Sequence, residues 1–390
     1  MGKGASLRLY GSFFVPAFVR EGVTWRQIHL IRPQGMIPPS LKQMEMMMKK
    51  HIQVILTGLI LLSQHAFSAE ALPAGTGFGG LYYSDFSYRT AWDGERNRLA
   101  IGTREIAEVN AMLGADLVGG RYRADYQYFT LDLLAGLSDQ TTVRLQIPYF
   151  RSEVRQRVDV FAPPPAEGMI RAQLEALDFR TETLRGNGWG DLHLWLYHRY
   201  FSAQESLELI AGAGWRSPVT ATRFGRNTEK LNVATREAET LLLTHQLRYP
   251  FSDVLSFQYR LEYQHPFEGD QDVFVPGTGV VNVPYTPGWW LTHQADLTLR
   301  FFDERMTASA GIWYRDEGSD TTMGVRSGSR DALWYTGAVG YNGMKDFEEE
   351  RLVLPVFAEV RYWYLQEARN FQAYYDSYWE FWVGLPLWSR

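Results

Sequence analysis

From residue 72 onward the chain alternates apolar and polar positions with a period of two, as strands with one apolar face do. In LTHQADLTLRF (291–301), Leu291, Ala295, Leu297, Leu299 and Phe301 share one face; Thr292, Gln294, Asp296, Thr298 and Arg300 share the other. In 255–264, Leu255, Phe257, Tyr259, Leu261 and Tyr263 oppose Ser256, Gln258, Arg260, Glu262 and Gln264. The pattern recurs in 143–149 and 192–197. It predicts twelve strands, near 78–88, 124–137, 140–151, 189–201, 205–216, 238–249, 253–265, 289–302, 305–315, 331–341, 352–365 and 378–388. Most are longer than the ~5–6 residues of a globular strand and fit the ~9–11 of a tilted membrane strand.

The connections alternate in length. Short ones lie at Ser138–Asp139, Ser202–Gln204, Pro250–Ser252 and Asp303–Glu304, with a somewhat longer one near Asn342–Arg351. Ser, Asp and Pro favour turns. Long ones span roughly 89–123, 152–188, 217–237, 266–288, 316–330 and 366–377. Short periplasmic turns and long extracellular loops are the layout of an outer-membrane barrel. An open sheet edge would leave bare N–H and C=O groups in hydrocarbon, so the strands must close. The expected fold is therefore all-β, a transmembrane antiparallel barrel of about 12 strands over residues 72–390.

Composition narrows the field. Mean hydropathy is −0.27, too low for a bundle of membrane helices. The net charge of −5 gives no basic footprint, so no nucleic-acid partner is expected. With 22 Tyr, 22 Phe and 13 Trp, there are rings enough for belts at two water–lipid boundaries. The absence of Cys removes disulfides, thiolate metal sites and Cys nucleophiles. Expected partners are outer-membrane lipid, the barrel-assembly machinery and a small-molecule cargo.

The N-terminal region reads as a targeting segment. Lys49, Lys50 and His51 precede the apolar run IQVILTGLILL (52–62), and small residues follow at Ala66, Ser68, Ala69 and Ala71. This is the three-part layout of a cleaved signal peptide, here 48–71, with cleavage after Ser68 or Ala71. Residues 1–47 read as an over-called start, with a genuine extension as the alternative.

If the apolar face meets lipid, the other face lines the lumen. The candidates for electrostatic selection there are Arg144, Asp191, His193, Arg248, Arg260, Glu262, Asp296, Arg300, Glu359 and Arg361. They would line either a hydrated channel or the ion-pair network of a filled barrel. By parity His245 and His293 fall on the lipid face, which is uncomfortable for His245 and suggests a register shift of one. Within 166–179, Met169, Leu174, Leu177 and Phe179 have roughly helical spacing, for a short helix that either constricts the barrel or lies on its surface. Gly186–Gly190 lacks the Lys–Ser/Thr of a phosphate loop and reads as a turn into a strand.

Signals for catalysis are missing. No His is followed two positions later by Ser, as an outer-membrane phospholipase would require. His193 and His198 are five apart and point to opposite faces of a strand. The Asp–His dipeptide of an omptin-like protease does not occur, and nothing signals a cofactor or a metal.

Three stretches resemble the outer-membrane channels named after the MetA pathway of phenol degradation. They are LDLLAGLSDQTTVRLQIPYF (131–150), GNGWGDLHLWLYHRY (186–200) and LELIAGAGWRSPV (207–219), in that order. Two departures stand out: Arg216–Ser217–Pro218 replaces a Pro-Thr-Gly-like ending, and Trp388 is followed by Ser389 and Arg390 rather than ending the chain. The resemblance implies transport of small compounds, aromatic ones included. The sequence leaves three alternatives open: a structural or ligand-binding barrel working through its loops, a lipid-acting outer-membrane enzyme, and a soluble secreted β-protein.

Overall fold

The computed structural model describes residues 72–176, 181–203, 207–218, 238–275, 279–370 and 377–388. The signal-peptide segment therefore lies outside the described residues. Twelve strands form the barrel: β1 (Gly77–Tyr88), β2 (Val118–Ser138), β3 (Thr141–Val160), β4 (Leu192–Ala203), β5 (Leu207–Ser217), β6 (Thr240–Pro250), β7 (Leu255–Pro266), β8 (Trp290–Phe301), β9 (Met306–Glu317), β10 (Arg330–Asn342), β11 (Phe357–Arg369) and β12 (Ser377–Trp388). Each pairs antiparallel with its chain neighbours. The ring closes because β1 pairs on one edge with β2 (Tyr83↔Phe129) and on the other with β12 (Tyr83↔Phe381). Among the described residues the barrel sheet has no open edge at membrane height, which is what a membrane span requires.

The outer face carries Leu81, Leu131, Leu194, Leu243, Leu297, Ile312, Val339, Val360 and Val383, all exposed. In water such a surface would be a large apolar patch; around a closed barrel it is the lipid-facing band. Rings gather at its upper rim. Tyr83 lies 4.9 Å from Phe129, Tyr149 5.1 Å from Trp189, and Tyr362 4.8 Å from Trp379. At the opposite rim Tyr249 meets Phe251 and Phe301 meets Phe302, both at 5.2 Å. Amphipathic rings favour these two boundaries.

His245 faces outward and the register holds without a shift, with Ala211 and Leu261 as its cross-strand partners. The cost of a polar ring there is relieved locally: Tyr200 Oη lies 2.5 Å from His245 Nε2, and Tyr259 Oη lies 2.7 Å from His293 Nδ1. Tyr200 reaches that face by simple alternation, and a bulge between Arg199 and Phe201 leaves Phe201 exposed beside it.

β2 and β3 are 21 and 20 residues long, well beyond the segments the pattern predicts. At ~3.4 Å per residue and a tilt of ~40°, they rise ~50 Å, about twice the height of the apolar band. Glu182–Trp189 pairs with the upper half of β3 and runs on into β4 after a break at Gly190–Asp191. The glycine run predicted to be a turn is thus mostly strand. Above the band, α1 (Thr103–Leu113) and α2 (Ala166–Ala176) pack on these arms. Val109, Val118, Val158, Ile170 and Leu174 form a small buried core there. Leu174 joins this core, whereas Met169 is exposed, and Leu177 and Phe179 lie outside the described residues. α1 stops at Gly114, whose φ of +72° suits glycine, and Asn110 ties its end to β2 by donating to Val118 O at 2.8 Å and accepting from Val118 N at 2.8 Å.

Candidate functional site: the barrel lumen

The inward residues of the strands enclose a cavity of about 480 Å³. Of the ten candidates, Arg144, His193, Arg260, Glu262, Asp296, Glu359 and Arg361 line it. Asp191, Arg248 and Arg300 do not. Asp191 is buried beside Arg216 at 3.5 Å, Arg248 is buried against Glu208 at 3.2 Å, and Arg300 sits half-buried near the periplasmic turn, its backbone N–H donating to Val254 O.

Charges on the wall are held by their neighbours. Arg144 grips Asp132 with two bonds, Nε to Oδ1 at 2.7 Å and Nη2 to Oδ2 at 2.8 Å. Such bidentate pairs are among the stronger polar contacts a protein makes. Arg361 donates from Nε to Glu359 at 3.0 Å. Glu262 accepts from Gln264 at 2.7 Å and lies 3.9 Å from Arg260. Asp296 accepts from Gln294 at 2.6 Å. His193 faces Gln146 across one strand and Arg216 across the other.

The larger surprise is how aromatic the lumen is. Tyr82, Tyr128, Trp195, Tyr197, Trp290, Trp313, Trp363 and Trp382 all line the cavity. Composition points to rings in the boundary belts, but these share strand parity with the charged residues and point inward. Arg315 lies over two of these indoles, 4.6 Å from Trp290 and 5.4 Å from Trp313, and 5.4 Å from the buried Trp334, in cation–π geometry. Arg315 also meets Glu317 at 2.9 Å; Arg330 joins Glu317 at 2.8 Å and Asp320 at 2.7 Å, giving a buried network at the extracellular end. Sequence reasoning passes over Glu380, Arg315 and the indoles. The parity of β12 does place Glu380 and Trp382 opposite Trp379 and Phe381, so their signal is present. Glu317, Asp320 and Arg330 fall in a predicted loop and give none.

Both ends of the cavity are narrowed. Above, the hairpin Thr90–Trp92 with Arg98–Ala100 lays Trp92 on a cluster of Ala332, Trp334, Trp363, Leu365 and Ala368. Arg96 pins it through Asp331 (2.8 Å) and Glu367 (3.1 Å). Below, Phe78, Leu134, Phe357 and Trp382 cluster, and Leu72 packs on them. Residues 72–76 run against the inner wall. Leu72 N–H donates to Thr142 Oγ1 at 2.8 Å, and Gly75 N–H to Gly136 O at 2.9 Å. Gly136 permits this approach, for a Cβ there would sit 2.0 Å from Pro73 O. α2 is not among the elements lining the cavity; Ile170 and Leu174 pack on the inward-facing Val118 and Val158, so the helix sits on the inner side of the upper arms and neither constricts the cavity nor lies on the outer surface.

An outer-membrane channel from Pseudomonas putida F1 has a similar structure, with a TM-score of 0.58 and 12% identity over 83% of this chain and 100% of that one. The two share a fold. More distant are the translocator domain of autotransporter NalP from Neisseria meningitidis (TM-score 0.40, 12% identity, 87% and 95% covered) and the Pseudomonas putida toluene transporter TodX (0.37, 10%, 82% and 92%). No family model matches the chain, and no curated protein matches it. What the chain shares with the Pseudomonas putida F1 channel is the barrel fold.

Proposed function

We propose that the protein is an outer-membrane channel that passes small molecules, aromatic or hydrophobic ones among them, through its polar, charge-lined lumen. The observation that carries this is the cavity itself, walled by alternating ion pairs and indoles inside a barrel whose outside is apolar. A solute with a ring and a polar group finds partners for both at one level. In this proposal Arg144, His193, Arg260, Glu262, Asp296, Glu359 and Arg361 select by charge, while Asp191, Arg248 and Arg300 hold the wall or the lower mouth. The resemblance to the MetA-pathway channels points the same way without carrying the argument.

The test is planar-bilayer conductance with ion selectivity. Little current is expected from the native chain, because both ends are narrowed. Gly136→Val should displace residues 72–76, and replacing 90–100 with a short Gly/Ser link should remove Trp92; together they should yield discrete steps. A silent bilayer from that folded double variant would sink the proposal. It would favour the barrel as a platform for its loops, a reading supported by the separate core that α1 and α2 build above the membrane.

A further inference from the structure

Glu380 stands apart from every other carboxylate on the cavity wall. Asp132, Glu262, Asp296 and Glu359 each have a hydrogen-bond or ion-pair partner. Among the described residues Glu380 has neither, although it lines the cavity. Its cross-strand neighbours are Ser84 on β1 and Arg361 on β11. The Arg361 guanidinium is already committed to Glu359, with both Nε and Nη2 at 3.0 Å. It also faces Asp296, so three carboxylates share one guanidinium. Elsewhere inside the barrel the carboxylates are matched one to one: Asp132 has Arg144, Asp191 has Arg216 and Glu262 has Arg260.

Rings bracket the lone carboxylate. One step above it on β12, Tyr378 stacks on Trp363, with centroids 5.7 Å apart and planes at 5°. One step below, Trp382 meets Tyr82 at 6.0 Å. Gly80 makes room for that indole, since a Cβ there would meet Trp382 Nε1 at 2.6 Å. A carboxylate between electron-rich ring faces attracts a weakly hydrated organic cation, through both the charge and the π quadrupoles. An anion finds no equivalent, because each arginine on the wall already holds a carboxylate: Arg144, Arg260 and Arg361 as above, and Arg315 with Glu317.

From this we infer that the lumen holds a binding site for an organic ammonium with an apolar or aromatic body, its charge at Glu380 and its body against Tyr82, Trp363 and Trp382. The inference deepens the channel proposal by naming a solute class, and it rests on that proposal only for the site's purpose.

The test uses the detergent-purified full chain and needs no conductance. Binding is followed by calorimetry and by indole fluorescence with benzyltrimethylammonium, benzyl alcohol and benzoate as probes. The cation should bind at least about tenfold tighter than the other two. Glu380→Gln should abolish that preference, and Glu380→Asp should keep most of it; heat-modifiable gel mobility reports whether each variant is folded. Equal binding of the three probes by the native protein overturns the inference, and so does an unchanged preference in folded Glu380→Gln. Should Glu380→Gln fail to fold, the native probe comparison and Glu380→Asp still decide. A silent bilayer with intact cation preference would remove the channel and leave the site; open conductance without preference would do the reverse.

Discussion

The two halves of β3 obey the same alternation with opposite meaning. In the lower half Val143, Leu145, Ile147 and Tyr149 face out, and Arg144 and Gln146 face in. In the upper half Arg151, Glu153, Arg155 and Arg157 face out, while Val154 and Val158 are buried within. β2 inverts at the same level: Phe129 opposite Tyr149 is the last outward apolar pair, and Gln127 opposite Arg151 the first polar one. Outside the upper half, Arg155 Nε and Arg185 Nε both donate to Glu153, at 2.5 and 2.9 Å, in open water. The inversion marks where the solvent changes. Below it, hydrocarbon lies outside and a polar lumen inside; above it, water lies outside and the α1–α2 core inside.

Substitutions on this one strand should read out that boundary. The largest effect is expected at Arg144→Met, which leaves Asp132 buried without its guanidinium; urea unfolding from lipid vesicles should show a loss of about 3–5 kcal/mol. Adding Asp132→Leu should recover most of it, because the uncompensated charge is then gone. Next comes Leu145→Arg on the outer face of the lower half, at about 2–4 kcal/mol by the same measurement. Further up the same face, Arg155→Leu should change stability by no more than about 0.5 kcal/mol. A cost at Arg155 matching that at Leu145 would mean that the boundary has been drawn at the wrong height.

The smallest effect belongs outside the membrane. In α3 (Met344–Glu348), within the connection between β10 and β11, Asp346 accepts from Tyr341 Oη at 2.5 Å and from Arg305 Nε at 3.0 Å. These bonds hold its carboxyl below the usual carboxylate range, the Tyr341 hydroxyl contributing most. A lowered folded-state value means that the contribution is present above the unfolded carboxylate range and is lost as pH falls through the folded one. Hydrogen exchange over 343–356 should therefore quicken at acid pH in the native protein, and Asp346→Asn should flatten that dependence.

Most of the architecture is legible in the amino-acid pattern. The twelve strands appear at the predicted places, the short connections include Asp139–Gln140 and Phe251–Val254, and the outward face of β12 carries Trp379, Phe381 and Val383 as its parity dictates. The upper arms are not legible, because the pattern continues through Arg151 while its apolar face changes side, and a search for one continuous apolar face stops there. The lumen is half legible. Parity finds which side chains point inward, so Arg144 and Glu359 emerge, but an inward indole such as Trp363 or Trp382 cannot be told from a belt indole by residue type.

What the sequence alone determined is the strand: successive Cβ atoms leave opposite faces of an extended chain, so alternation is a local property written residue by residue. What only the tertiary structure decided is company. Asp296, Glu359 and Glu380 meet around Arg361 because β8, β11 and β12 are set side by side or across a lumen at one level. That level is fixed by the register of every intervening pair and by the closure of the ring. A slip of one residue anywhere would exchange the faces, and a slip of two would bring other charges together.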